Sequence, residues 1–272
     1  MRPMNESAFC RNNSRDDLYL GLATQVHVWR FSLIQRQDVI VRLFETLSAD
    51  EIARINRLRF PELREKAIVA RGVLRTILGE YLAMPATKLS FCYGAAGKPA
   101  LHFSAQIKLE FNLTHSHQEG VLAITCGRSL GVDIEYLSEL SEYGELADRF
   151  FSQAEVQLLK QIDPARRNLA FYYIWVQKEA YVKALGQGLR IPLNSFSVSV
   201  DPDLNARLIE VCEQIEGVQA AWEIHRINVP KNYIGAIAVD GQGLELVYFD
   251  WCVCERASSN EKLSENAVSL IR

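Results

Sequence analysis

Two stretches 104 residues apart carry the same helix-start signal: Leu47-Ser48-Ala49-Asp50-Glu51 and Phe151-Ser152-Gln153-Ala154-Glu155. In each, a serine precedes a helix and the glutamate three residues on reaches back to the serine's backbone, the reciprocal arrangement of a capping box. Each is followed by a long helical pattern. The first runs from about Pro61 to Leu82, with Leu63, Ala67, Ala70, Leu74, Ile77 and Leu78 on one stripe. The second runs from about Pro164 to Leu185, with Asp163 as N-cap, Pro164 at the first helical position and Gly186-Gln187-Gly188 as the stop. Each half then carries an apolar strand, residues 120–126 (GVLAITC) and 233–239 (YIGAIAV). The repeat predicts an α+β chain built as a pseudo-twofold pair of similar α/β halves; the alternative is chance likeness between two ordinary helix–strand units.

Further strands are expected at 26–31, 107–113, 130–136, 195–200 and 245–253. The chain divides into a flexible N-terminal segment (1–20), a first half (21–129), a second half (130–255) and a C-terminal tail (256–272). A net charge of −3 gives no global attraction to nucleic acid or anionic membrane, so any polyanion site must be local. No stretch approaches the roughly 18–20 apolar residues of a membrane span, and the polar N-terminus lacks a signal-peptide core. The six cysteines are scattered with no C-x-x-C pair, which fits reduced thiols in a cytoplasmic protein. Cys252 and Cys254 fall on one face of the last expected strand.

Four motifs carry chemistry. In Gly131-Val132-Asp133-Ile134-Glu135, strand alternation puts both carboxylates on one face and Val132 and Ile134 on the other. Such a pair either meets water at a sheet edge or binds a hard cation such as Mg²⁺, which takes carboxylates together with substrate phosphates. On the second long helix, Trp175-Val176-Gln177-Lys178-Glu179-Ala180-Tyr181-Val182-Lys183 places Glu179 and Lys183 one turn apart. They read as a surface pair worth roughly 0.2–0.5 kcal/mol, or as a third ligand or base beside a phosphate-neutralising lysine. Asn112-Leu113-Thr114-His115-Ser116 ends a strand with a histidine and a serine able to donate to phosphate, and no nucleophile elbow accompanies them. The basic helix has Arg64, Arg71 and Arg75 on one face with Lys66 nearby, either a solvated stripe or a phosphate-binding edge; Lys98 follows in a Gly97-Lys98-Pro99 turn.

In this order and spacing, the motifs resemble the 4′-phosphopantetheinyl transferase superfamily, in the large monomeric branch typified by the enzyme that activates surfactin synthetase. The resemblance rests on GVDIE (131–135), FSQAE (151–155) followed by WVQKEAYVK (175–183), the G-K-P turn, the NLTHS loop and the basic helix, and spans about residues 45–240. It implies a pseudo-twofold fold with the site between the halves. It implies that Asp133, Glu135 and Glu179 hold Mg²⁺, with Mn²⁺ as a substitute, and that Lys178 and Lys183 contact phosphate. His115 and Ser116 would also bind phosphate, Lys98 would lie near the adenine, and Lys66, Arg71 and Arg75 are candidates for the 3′-phosphate end of coenzyme A. Ser90 departs from the pattern, standing where the surfactin-type enzyme has a basic residue. The implied reaction moves 4′-phosphopantetheine from coenzyme A to a serine of an apo acyl or peptidyl carrier protein, releasing 3′,5′-ADP. Asp133, Glu179 and Lys183 would be its catalytic residues, with Glu179 or a metal-held water as base. The segment 187–196 is the expected carrier docking region, and a cytoplasmic monomer with no nucleic-acid or membrane partner is implied. The rival readings are a metal-dependent hydrolase or nucleotidyltransferase, and a non-catalytic homologue that binds coenzyme A or a carrier.

Overall fold

Both capping boxes close: the Ser48 N–H donates to Glu51 Oε2 at 2.9 Å and the Ser152 N–H to Glu155 Oε2 at 2.7 Å. The computed structural model describes residues 21–102, 108–187, 191–211 and 221–252. In the first half, β1 (Gln25–Ser32) leads to α1 (Gln37–Phe44), α2 (Ala49–Ile55) and the long α3 (Pro61–Leu82). A short hairpin, β2 (Phe91–Tyr93) and β3 (Pro99–Leu101), and the antiparallel pair β4 (Leu109–Ser116) and β5 (Glu119–Cys126) follow. The second half opens with β6 (Leu130–Tyr136), then α4 (Tyr143–Phe150), α5 (Gln153–Gln161) and the long α6 (Arg167–Leu185). It continues with β7 (Phe196–Val198), β8 (Leu208–Val211), β9 (Trp222–Arg226), β10 (Tyr233–Asp240) and β11 (Glu245–Asp250).

The result is an α+β fold whose two main sheets pack face to face, with a long helix on the outer side of each; β2–β3 and β7–β8 form two small two-stranded sheets. One main sheet has the order β11-β1-β5-β4, the other β6-β10-β9. Strand alternation sorts the side chains into three cores. Trp29 and Phe31 of β1 and Leu122 and Ile124 of β5 pack toward α3. Val26, Val28, Val121 and Ala123, from the opposite faces of the same strands, meet Val132 and Ile134 of β6 and Ile237 and Val239 of β10 between the sheets. Ile234, Ala236 and Ala238 of β10 face α6. Burial on both faces is why residues 120–126 and 233–239 read as continuous apolar runs. β11 crosses back to pair in parallel with β1, and Arg30 clamps it by a two-pronged bond to Asp250 at 2.8 and 2.9 Å.

Local details differ from the sequence reading. Leu63 is exposed because the first turn of α3 projects beyond the core, whereas Ala70, Leu74, Ile77 and Leu78 are buried. Asp163 caps by accepting from the Ala165 N–H, but the turn it starts, Pro164–Arg166, is 3₁₀ and α6 proper begins at Arg167. β11 ends at Asp250, so Cys252 lies past the strand; Cys254 falls outside the described residues, as do 1–20, 188–190 and 256–272. Among the described residues no helix is long and apolar enough to cross a membrane.

His27 is buried on β1 with Nδ1 2.6 Å from the Tyr81 hydroxyl, which also accepts the Trp29 indole N–H at 3.1 Å. Burial lowers its pKa to about 4. A histidine held neutral in the fold contributes its full stability above its unfolded pKa of about 6.5 and loses it as pH falls toward 4, by up to about 3 kcal/mol. Urea unfolding at several pH values between 7 and 4 should therefore show wild type losing stability faster than His27→Gln; parallel slopes would contradict this assignment.

Candidate active site at the seam between the halves

Gly131 determines how near α6 comes to β6. A Cβ at this position would stand 2.2 Å from the Ala180 carbonyl oxygen and 2.3 Å from the Ala184 nitrogen, so helix backbone rests directly on the strand. That approach aligns the last two turns of α6 with the next two residues on the same face of β6, Asp133 and Glu135. Lys183 Nζ then reaches Asp133 Oδ1 at 2.5 Å and Thr114 Oγ1 of β4 at 3.2 Å. The sequence allowed a Glu179–Lys183 surface pair; the ammonium instead crosses from helix to strand. Gly186, with φ 68, ends the helix in the left-handed conformation that glycine adopts without strain.

Asp133 is buried, Glu135 and Glu179 partly so. Burial raises the pKa of Asp133 against the opposing pull of Lys183. Glu135 is raised by burial and then by the charge of Asp133; Glu179 is raised by burial, by Asp133 and, less, by Glu135. Three acids thus share one field and disfavour one another's ionised forms. Glu135 Oε2 accepts from Ser116 Oγ at 2.8 Å and Asp133 Oδ1 from Thr114 Oγ1 at 3.2 Å. Asp133 Oδ2 is buried and, among the described residues, has no hydrogen-bond partner.

Beside the acids lies a cationic edge. The His115 ring is exposed, and desolvation by its surroundings followed by the ammonium groups of Lys183 and Lys66 keeps its pKa below the usual imidazole value. Lys66, on α3, also donates to the His117 carbonyl at 2.7 Å, tying the first helix to the β4–β5 turn. A cleft of about 280 Å³ opens between the halves, lined among others by Lys98, Asn112, Leu113, Glu179 and Lys183. A larger cavity of about 580 Å³ lies along β9 and residues 202–208. It contains none of the three carboxylates, and its His225 and Arg226 are engaged with Glu223 and the Pro202 carbonyl.

Several of the expected site residues already hold partners within the protein. Lys178 is fully buried, and its ammonium bonds Glu155 Oε2 at 2.8 Å and the Leu193 and Phe196 carbonyls at 2.7 and 2.6 Å, so it does not face the cleft. Arg75 is equally buried, donating to Glu51 at 2.7 Å and to the Ala86 and Leu89 carbonyls. Arg71 pairs with the same Glu51 and with the Tyr93 hydroxyl, its guanidinium 4.2 Å from the Phe91 ring centre. Burial pushes the Glu51 pKa up, but the Arg75 bond, the Arg71 charge and the Ser48 N–H together hold it below the usual value. Ser116 is turned onto Glu135 and the Tyr136 N–H rather than left open to an anion. Lys98 lines the cleft, with its ammonium on the Leu130 and Ala184 carbonyls at 2.8 and 3.4 Å. The sequence reading lacks Thr114 as a partner of Asp133 and the ion pairs of the two capping-box glutamates with the long-helix cations. The i, i+2 spacing of Asn112, Thr114 and Ser116 was the available signal for Thr114.

Hard oxygen donors, mutually raised acids and an unpartnered buried carboxylate oxygen fit a hard divalent cation in chemistry. Among the described residues, no three His, Cys, Asp or Glu side chains close into a ligand group, and Lys183 supplies the positive charge at Asp133.

Residues 129–238 match a family model described as the 4′-phosphopantetheinyl transferase superfamily. The chain is similar to 4′-phosphopantetheinyl transferase HetI of a Nostoc species, 36% identical over 223 residues, 82% of this chain and 90% of that protein. It is 35% identical to a putative 4′-phosphopantetheinyl transferase, slr0495, of a Synechocystis species over 58% of this chain and 63% of the relative. It is 27% identical to 4′-phosphopantetheinyl transferase Sfp of Bacillus subtilis over 61% of this chain and 72% of the relative.

Two substitutions test the placement. Lys178→Met leaves Glu155 buried without its cation and is expected to cost about 3–5 kcal/mol in denaturant unfolding; unchanged stability would return Lys178 to the open face. Gly131→Ala must push α6 away from β6, at an overpacking cost of about 1–3 kcal/mol. Its activity should fall further than its stability, because Glu179 and Lys183 leave Asp133; full activity would refute the close approach.

Proposed function

The chain belongs to the 4′-phosphopantetheinyl transferase superfamily, and from that premise we propose that it transfers the 4′-phosphopantetheine group of coenzyme A to a serine of an apo acyl or peptidyl carrier protein. The observation that carries the reading is that Asp133, Glu135 and Glu179 share one electrostatic field with Lys183 beside the inter-half cleft, with His115 and Lys66 next to them. That places opposite charges side by side: acids suited to a cation and cations suited to an anion.

Asp133, Glu135 and Glu179 would hold Mg²⁺, or Mn²⁺ in its place. When bound, the ion supplies charge neutralisation to the pyrophosphate. The carrier serine hydroxyl attacks the β-phosphorus of coenzyme A. A serine–phosphorus ester bond forms, the bond to the bridging oxygen breaks, and 3′,5′-ADP leaves. Glu179 is the candidate base: its carboxylate has no hydrogen-bond partner among the described residues, and burial and its acidic neighbours make it a stronger base than a free glutamate. Lys183 remains within reach of the leaving phosphate while bonded to Asp133, and His115 and Lys66 offer the anion its outer contacts. Arg71, Arg75 and Lys178 serve the scaffold in this reading, and the stem of Lys98 lines the wall of the cleft. Of the expected carrier docking segment, residues 188–190 fall outside the described residues. The protein is proposed to act as a monomer in the cytoplasm.

The test is mass spectrometry of apo-carriers incubated with coenzyme A, Mg²⁺ and the protein, where transfer adds about 340 Da. Glu179→Gln is expected to abolish the gain while melting like wild type. Coenzyme A binding without transfer to any carrier in a broad panel would favour the non-catalytic reading. Hydrolysis of coenzyme A without a carrier would favour the hydrolase.

A further inference from the structure

Strands β4 and β6 edge the two sheets and lie side by side, yet among the described residues no main-chain ladder joins them. Side chains do so instead, from every second residue of β4. Asn112 Oδ1 accepts the Val132 N–H at 2.9 Å, Thr114 Oγ1 bonds Asp133 Oδ1 at 3.2 Å, and Ser116 Oγ takes the Tyr136 N–H at 3.1 Å and bonds Glu135 Oε2 at 2.8 Å. Residues two apart on a strand share a face, so the three form one rail along the seam. Its first rung ends on backbone and the other two reach the acids.

The direction of the two hydroxyl bonds follows from their other partners. Lys183 Nζ lies 3.2 Å from Thr114 Oγ1, and an ammonium only donates. The Thr114 oxygen is therefore already an acceptor, and its own proton goes to Asp133. Ser116 likewise accepts a backbone N–H and gives its proton to Glu135. Among the described residues, Thr114 and Lys183 both grip Asp133 through Oδ1, and the buried Oδ2 has no partner.

We propose that Thr114 and Ser116 are positioning residues: hydroxyls from the first half that orient the two strand carboxylates of the second half so that their remaining oxygens face the cation. The inference rests on the reading above, in which those carboxylates hold a divalent ion. It explains why the acids of one half become a site only against the other. Outer-shell hydrogen bonds to ligating carboxylates set ligand orientation, and their loss costs about 10–100-fold in metal affinity.

Thr114→Val keeps the shape and removes the donor; Thr114→Ser keeps the donor. Mn²⁺ alone is titrated into each full-length protein, free ion is followed by electron paramagnetic resonance, and thermal melting is recorded alongside. Thr114→Val is expected to weaken Mn²⁺ binding at least about tenfold, Thr114→Ser to restore it to near the wild-type value, and Ser116→Ala to weaken it as well. A Thr114→Val protein that melts lower but binds Mn²⁺ as wild type does would reduce the rail to a folding contact and overturn the inference. Absence of Mn²⁺ binding by the wild-type chain would overturn the cation reading itself, and this inference with it.

Discussion

The contact between Gly131 and the backbone of α6 controls everything at the seam. A helix ordinarily stands off a sheet by the length of the side chains between them; here one turn of α6 touches the strand itself. Without that approach the Lys183 ammonium would not reach Asp133 Oδ1, and a buried carboxylate would lack its charge partner. Burying an unpaired charge is costly enough that the group would protonate instead. The glycine therefore permits an ionisable pair inside the seam.

The two halves share a scaffold but spend their charges differently. In each, the capping-box glutamate does a second job, pairing with a buried cation from the following long helix: Glu51 with Arg71 and Arg75, Glu155 with Lys178. Each pair locks the short helix before the long one onto that long helix, and the bonds to nearby carbonyls satisfy the remaining donors. On the strands the symmetry breaks. At the 104-residue offset that relates Ser48 to Ser152, the counterparts of Asp133 and Glu135 are Trp29 and Phe31, both buried against α3. Glu179 corresponds to Arg75, which is consumed by the scaffold. At these positions the first half contributes core and the second half carboxyls, so the two halves differ in charge along the seam.

That site is electrostatically unfinished. Burial and mutual repulsion raise all three acids, Lys183 compensates one, and Asp133 Oδ2 remains buried and unpartnered. A cation placed among them relieves the repulsion, and the neighbouring His115, Lys66 and Lys183 favour an anion close by. In the proposed function, relief of that repulsion is what a metal–phosphate pair would supply.

Much of the fold was legible in the sequence because its signals are local. Capping boxes, a Pro-led helix start, a glycine stop and two-residue alternation each depend on residues within a few positions, and they placed the long helices, the principal strands and the shared face of Asp133 and Glu135. The fate of the cations was not legible. Lys178 and Glu179 are neighbours in sequence, but about 100° apart around a helix, so one points into the core and the other into the cleft. Arg71 and Arg75 read in sequence as either a solvated stripe or a phosphate edge, and the structure pairs both with Glu51. The return of β11 to β1 and the side-chain rail between β4 and β6 join residues far apart in the chain. The sequence by itself determined the elements, their buried faces and the inventory of charges. Only the tertiary structure decided which charges neutralise one another and which are left for a ligand, because that depends on how closely the helices approach the strands and on what lies on the far side of each seam.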